Sequence, residues 1–534
     1  MTIVSAPKLE KLRARARQHI NLPYLLYGLI GLFGFAACAP EAEETDGNPP
    51  ARPNIVFIMT DDHGYQAMSA YDDRYIQTPN LDRIAEEGVL FTNSFVTNSI
   101  CAPSRAVLLT GKHSHLNGQI DNRVRFDSSQ ATFPKYLQAA GYQTALVGKW
   151  HLRSEPTGFD HYERLIGQGN YYNSDFIENG ERKQSAGYVT DVITDKSINW
   201  LDKRDPNKPF CLLVHHKATH RIWMPDTALL NDFAGVEFPV PDNYFDAYEG
   251  REAATYHEMG VFKDMDIVYD LKMLDKEGEF KTRYRAAYER MYGRMNDEQR
   301  AAWDAFYDPV IKDFMAAKLE GKDLALWKYQ RYMQDYLKCV RSVDNNVGRL
   351  LDYLDDNGLA ENTLVVYTSD QGFYLGEHGW FDKRYMYEES LRTPLAMRFP
   401  QSLNISGKSP ALVQNIDYAP TFMDLAGLDV PEDMQGKSLI PLLQGDSTEW
   451  RQAIYYHYYE YPNEHGVKKH YGVRTDRYKL IHFYGDIDTW ELYDLREDPH
   501  EMNNLYGEPA YESVVTDLKL RIDDLQETYA VDLM

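Results

Sequence analysis

Cysteine is scarce in this chain, with four residues in 534. Cys38 closes an N-terminal apolar run, which leaves Cys101, Cys211 and Cys339 in the body of the protein. Three cysteines do not make a disulfide framework, and no Cys/His spacing suits structural zinc. Cys211 in PFCLLV and Cys339 in YLKCVRSV sit in apolar text and read as buried, inert thiols. Basic tracts are missing too. The net charge is −24 and the pI is about 5.1, so nucleic acid is excluded as a partner. An anionic small substrate is not excluded, because exposed charges beyond about 8 Å are largely screened and local cations can dominate. The only long apolar run, LPYLLYGLIGLFGFAAC, falls short of the ~20 residues of a comfortable membrane span.

That run follows Lys8, Lys11, Arg13, Arg15 and Arg17 and ends Phe35-Ala36-Ala37-Cys38. A basic segment, a short apolar stretch and small residues before a cysteine predict an export signal over 1–38. The ending resembles a bacterial lipobox, which implies a periplasmic or cell-surface protein lipid-anchored at Cys38, the only membrane contact expected. Residues 39–52, acidic and Pro-rich, read as a solvated linker. With 43% hydrophobic and 26% charged residues, the remainder reads as a large globular protein.

Four short apolar runs end in polar clusters. NIVFIM leads into Thr60-Asp61-Asp62-His63-Gly64, and TALVG into Lys149-Trp150-His151. FCLLV leads into His215-His216-Lys217 with His220 close behind, and TLVVY into Thr368-Ser369-Asp370-Gln371-Gly372. Continuous apolar runs of this length predict strands buried on both faces. Helical segments NLDRIAEEGV, FPKYLQAAG and DNNVGRLLDYLDDNG alternate with them, so the fold class is α/β with a large, largely parallel sheet flanked by helices. In such sheets ligands bind beyond the carboxyl ends of strands, where all four clusters fall.

An isolated Asp-Asp pair is commonly a turn or helix cap. Here Asp61, Asp62, Asp370 and Gln371 follow buried strands and precede glycine, and three carboxylates with an amide oxygen suit a hard cation, Ca²⁺ or Mg²⁺. Arg105, Lys149, His151, His220 and Lys383 can form a pocket for a tetrahedral oxyanion. The helix expected to start at CAPSR adds free N–H groups and a positive dipole end.

Cys101-Ala102-Pro103-Ser104-Arg105, followed by Leu109-Thr110-Gly111-Lys112, resembles the signature of the type I, formylglycine-dependent sulfatases of the alkaline phosphatase superfamily. The resemblance runs through IVFIMTDDHG, GYQTALVGKWH, HHKATH, VVYTSDQGFYLGEHGW and DKRYMYEESLRTP and covers roughly residues 53 to 500. It implies that a maturation enzyme oxidises Cys101 to formylglycine. The hydrated aldehyde attacks sulfur with one hydroxyl, and the other expels sulfate as the aldehyde reforms. By matched motif positions, Asp61, Asp62, Asp370, Gln371 and the modified Cys101 hold calcium, with Mg²⁺ the second choice. Arg105 and Lys149 hold the formylglycine, His151 helps expel sulfate, and His220 and Lys383 grip it, with His220 as general acid. Two positions depart from the family pattern: Thr219 stands where many members have proline, and Gln371 where many have asparagine or histidine. His378, in GEHGW, is expected behind the direct contacts.

Residues 53–435 are expected to form the catalytic domain. A helical insertion is expected at about 245–345, its aromatic stripe serving packing. Residues 436–534 are expected to form a smaller subdomain, an antiparallel sheet plus one helix. His465 and His470, beside aromatics in EYPNEHGVKKHYGVRTD, read either as sugar contacts or as parts of an exposed hairpin loop. The expected reaction is hydrolysis of sulfate esters on a sulfated oligosaccharide or polysaccharide. The competing expectations are a phosphodiester or phosphonate monoester hydrolase of the same superfamily, and a non-catalytic glycan-binding lipoprotein.

Overall fold

The four apolar runs become four adjacent parallel strands: β1 (Asn54–Thr60), β2 (Gln143–Gly148), β3 (Phe210–His215) and β4 (Thr363–Ser369). In this computed structural model, residues 52–275 and 281–532 are described. The export signal expected over 1–38, and the expected linker apart from Arg52, lie outside them. Among the described residues no helix is long and apolar enough to cross a membrane.

The central order is β4-β1-β3-β2, within a ten-stranded sheet that antiparallel strands extend on both sides. Each central strand is buried on both faces. Along β1, Ile55, Phe57 and Met59 join the core formed with Leu108, Leu109, Phe133 and Phe422. Val56 and Ile58 join the opposite core with Tyr332, Val340 and Val347. Each such side chain contributes roughly 1.5–3 kcal/mol on full burial, which is why the runs are continuously apolar.

Register sets the site. Thr60 pairs with Ser369, Met59 with His215, and Gly148 with His215. The residues that follow, Asp61, Asp370, His216 and Lys149, therefore emerge at one edge. Gly148 has φ +110°, and a Cβ there would lie 1.9 Å from the His215 carbonyl oxygen, so only glycine lets β2 turn into Lys149 beside β3.

Helix α1 (Cys101–Thr110) is wholly buried and ends at Gly111 in the left-handed region. The region expected as a helical insertion differs in its first third. Residues 245–275 contain no α-helix, and helices begin at Arg285. One 36-residue helix, α2 (Gly321–Asp356), runs straight across position 345. Tyr288, Trp303, Tyr307, Tyr329, Tyr332 and Tyr336 are buried, so the aromatic stripe is packing. Four antiparallel strands (Ala453–Tyr458, His470–Thr475, Tyr478–Phe483, Thr489–Asp494) and helix α3 (Glu512–Thr528) follow. Both faces of this small sheet are covered. Tyr455, Val473, Leu480 and Leu492 pack with Leu518 and Ile522 of α3, whereas Ile454, Tyr456, Ile481 and Phe483 join the main core.

Candidate active site

The strand ends deliver their polar residues into one buried cluster. Asp62 turns out of β1 at φ 70°, and Thr219 fastens this turn. The Thr219 N–H donates to the Asp61 carbonyl at 2.8 Å, and its hydroxyl donates to the Asp62 carbonyl at 2.8 Å. A proline at 219 would lack the first donor. From the far side, the Tyr336 hydroxyl of α2 donates to the Asp62 carbonyl at 2.9 Å and accepts from the Gly64 N–H at 2.9 Å.

Asp61, Asp62 and Asp370 present oxygens within 4.8 Å of one another, and Asp61, Cys101 and His220 do the same with their ligand atoms. The Cys101 thiol donates to Asp61 Oδ1 at 3.4 Å, and Lys149 Nζ is ion-paired with Asp61 Oδ2. Lys383 Nζ sits 2.7 Å from both oxygens of Asp62, and the Gln371 amide donates to Asp62 Oδ1. Arg105, 1% exposed, donates to Asp370 Oδ2 from Nε at 3.0 Å and from its terminal nitrogen at 2.9 Å; its other nitrogen donates to the Lys149 carbonyl at 2.8 Å. His220 Nε2 lies 4.0 Å from Asp62 Oδ2, and His220 Nδ1 is 2.6 Å from the Arg221 carbonyl. Since a carbonyl only accepts, Nδ1 carries the hydrogen and Nε2 is left free to take or give a proton.

These surroundings tune the groups. Burial pushes the Cys101 thiol up, although Lys149 and Lys383 pull against it. A thiol held neutral in this way is a poor nucleophile. Burial would raise the Asp61 carboxyl, but Lys149, His220, Arg105 and Lys383 hold it well below the ordinary range. Burial, with Asp61 and Asp370 beside it, lifts Asp62 to about 7 despite Lys383. Asp370 is raised by burial and by Asp61, against Arg105. Burial, and then Lys149, keeps His151 neutral, and its Nδ1 has no hydrogen-bond partner. Gln371 Oε1 is likewise a buried acceptor without a partner. Three mutually repelling carboxylates and an orphaned amide oxygen fit a hard divalent cation, whose bound state would favour the ionised carboxylates.

Sequence reasoning did not find the neighbouring wall. Asp382, Arg384 and Glu460 flank Lys383: Arg384 is ion-paired with Glu460 at 2.6 Å and lies 3.4 Å from Asp382. They sit on two irregular loops with no periodic signal, Glu460 just after the strand Ala453–Tyr458, though Asp382 and Arg384 stand within the DKRYMYEES motif. His465 reaches this wall through Asp382 at 3.2 Å. His470 does not. It is fully buried, its Nδ1 lies 2.8 Å from the Lys468 carbonyl, and its ring packs against Phe483, Tyr458 and Tyr456 at centroid distances of 4.8, 5.3 and 5.5 Å. The expectation that His470 touches substrate is corrected: both faces of its sheet are covered, so its ring points into packing. His378 lies behind the wall, with Nδ1 2.8 Å from Asp246 Oδ2; Asp246 is also gripped by Arg251 at 2.6 and 2.8 Å.

The family model described as Sulfatase matches residues 53–428. The chain belongs to the sulfatase family. A second model, N-sulphoglucosamine sulphohydrolase, C-terminal, matches residues 376–528. The sulfatase is 51% identical over 517 residues to an N-acetylglucosamine-6-O-sulfatase of Bacteroides thetaiotaomicron, covering 95% of this chain and 91% of the relative. A structure solved in complex with its substrate D-glucosamine-2-N,6-O-disulfate aligns with a TM-score of 0.87 at 51% identity, over 90% of this chain and 99% of the other. The phosphonate monoester hydrolase of Agrobacterium radiobacter shares the fold at TM-score 0.66 and 20% identity, over 90% of this chain and 96% of the other. The protein is therefore a sulfuric ester hydrolase with an alkaline phosphatase-superfamily fold.

Proposed function

We propose that this sulfatase hydrolyses the 6-O-sulfate ester of an N-substituted glucosamine unit of a sulfated glycan, using a formylglycine made from Cys101 and a divalent cation, Ca²⁺. The observation that carries the reading is the position of Cys101: it heads a buried helix, bonds to Asp61, and has Lys149 and Lys383 close enough to pull on its thiol. The 51% identity to a 6-O-sulfatase over 95% of the chain supports the choice of ester.

Asp61, Asp62, Asp370 and Gln371 would hold the cation, alongside residue 101. When bound, the cation supplies Lewis-acid stabilisation of oxygen charge, and formylglycine supplies the hydroxyl nucleophile. The rest is carried by side chains of this chain. Arg105 fixes Asp370 and the Lys149 carbonyl in one fork, which sets the floor. Lys149 and Lys383 provide positive charge where a sulfate oxygen arrives. His220, with its side chain 16% exposed, stands at the mouth with Nε2 as its free ring nitrogen; burial holds the empty-site ring neutral although Asp61 pulls the other way, and the charge of an arriving sulfate would favour a second proton on Nε2. It gives that proton to the departing sugar oxygen, a poor leaving group without it. His151, neutral by burial, accepts the proton released when sulfate is expelled. Asp382, Arg384 and His465 offer donors and acceptors to ring hydroxyls beside Lys383.

The proposal includes maturation of Cys101 by a formylglycine-generating enzyme, and export with a lipid anchor at Cys38. The test is turnover by matured protein of N-acetylglucosamine 6-sulfate, its 3-sulfate isomer and an aryl phosphate diester. The expected result is preference for the 6-sulfate. Preference for the diester would favour the hydrolase that shares the fold, and no turnover of any would favour a glycan-binding protein.

A further inference from the structure

A groove adjoins the wall beside Lys383 through His465, which pairs with Asp382 at 3.2 Å, and none of the residues assigned to the cation or the sulfate lines it. Arg221, the chain neighbour of His220, and Phe381, the neighbour of Asp382, form its inner end together with His465. The groove is a cavity of about 480 Å³, continued by a second stretch of about 480 Å³ that shares Glu258, Arg283, Tyr284 and Glu464. Volumes of this size lie in the range of small-molecule sites. One bank comes from the start of the insertion helices, and the other from the loop that carries His465.

The inner end is rigid. Arg221 is clamped by Asp270 at 2.6 and 2.8 Å, and its guanidinium packs over Phe381 at 5.2 Å and Tyr269 at 5.4 Å. Tyr284 stacks on Tyr269 with ring centroids 5.2 Å apart. The outer part is chemically open. Arg283 is exposed, donates to the Tyr284 hydroxyl at 2.5 Å with its guanidinium 4.7 Å from the centre of the same ring, and has no ion-pair partner among the described residues. Glu258 and Glu464 are exposed, and neither forms an ion pair among the described residues; Glu464 accepts a long 3.5 Å contact from Tyr284 across the groove. Aromatic walls with both donors and acceptors left available suit a pyranose, whose faces are apolar and whose rim is hydroxylated. A guanidinium unpaired among the described residues suits a carboxylate or sulfate on that sugar.

We infer that this groove binds the saccharide unit glycosidically linked to the sulfated glucosamine, with Arg283, Tyr284 and Glu464 as its specificity-determining residues. The inference rests on the proposed glucosamine 6-sulfatase activity. It makes the enzyme a reader of oligosaccharides and not only of the free sulfated sugar.

The test compares kcat/KM for N-acetylglucosamine 6-sulfate with that for disaccharides carrying the same 6-sulfated unit, extended through O1 or through O4, with a uronate as the second sugar. One of the two disaccharides should exceed the monosaccharide by about tenfold, mainly through KM, the effect of one charge-assisted hydrogen bond. Arg283→Ala and, independently, Glu464→Gln should bring that ratio towards one. A wild-type ratio of one with good monosaccharide turnover overturns the subsite while leaving the proposed activity standing. A ratio that neither variant changes also overturns it. No sulfate release from any of the three substrates overturns the parent reading and the subsite together.

Discussion

Arg105→Ala is the perturbation whose outcome the geometry fixes most tightly. Arg105 and Asp370 have side chains 1% and 0% exposed, joined by two hydrogen bonds to one carboxylate oxygen, and the third arm of Arg105 serves the Lys149 carbonyl. Truncation leaves Asp370 without its only cationic hydrogen-bond partner among the described residues and takes one of two donors from the Lys149 carbonyl. Breaking a buried pair on one side costs about 3–5 kcal/mol, because the remaining charge stays desolvated. In the metal-free protein, urea unfolding should show this as a lower midpoint with an unchanged slope. Ca²⁺ should return part of the loss, since a cation on Asp61, Asp62 and Asp370 replaces the missing charge and adds binding energy to the folded state. Sulfate release should fall even where folding is restored, because Asp370 loses its fork and the Lys149 carbonyl keeps only the His215 Nδ1 contact at 3.1 Å. A loss below about 1 kcal/mol would refute the buried-pair reasoning. A loss that Ca²⁺ does not touch would refute Asp370 as a ligand.

Three further outcomes follow from particular side chains. His220→Ala should lower kcat about 10²–10⁴-fold on a sugar sulfate, the usual worth of a general acid, and much less on an aryl sulfate whose phenol leaves unaided; equal losses on both would remove the acid role. His470 is neutral in the folded protein, with burial holding its pKa at about 3, but protonates near 6.5 when unfolded. The parent therefore loses stability as pH falls through 6.5, and His470→Phe should gain on it by about 1.4 kcal/mol per pH unit between 6.5 and 5, with no drift above 7; a flat difference by denaturant titration would contradict the burial argument. His378→Ala frees one side of Asp246, which should cost about 1–3 kcal/mol and raise KM more than it lowers kcat, as the Asp382–Arg384 loop loosens; a pure kcat effect would place His378 in direct contact with the reaction.

Much of the sheet was legible because its central strands are buried on both faces and therefore spelled as unbroken apolar runs. Their shared edge was legible too, since each run ends in polar residues that a core could not hold. What the text could not carry was contact between distant segments. Asp246 and His378 stand 132 positions apart, and nothing local in either neighbourhood demands the other. The start of the insertion misled because Tyr and Met at helical spacing also suit the irregular, aromatic-packed chain that residues 245–275 form. His470 misled for a different reason. An antiparallel sheet commonly has one wet face, whereas this one is covered by α3 on one side and by the main core on the other. Thr219, a departure from the family pattern, turned out to hold the Asp61–Asp62 turn through an N–H that proline does not have.

On the proposed reading, Cys101, at the head of its buried helix, is the precursor of the group that attacks sulfur. The most direct measurement pairs two quantities across preparations matured to different extents: the fraction of Cys101 converted to formylglycine, from the mass of its peptide, and the initial rate of sulfate release from D-glucosamine-2-N,6-O-disulfate. A straight line through the origin is expected, with Cys101→Ala at zero. A rate that does not follow the converted fraction, or that survives in Cys101→Ala, would contradict it.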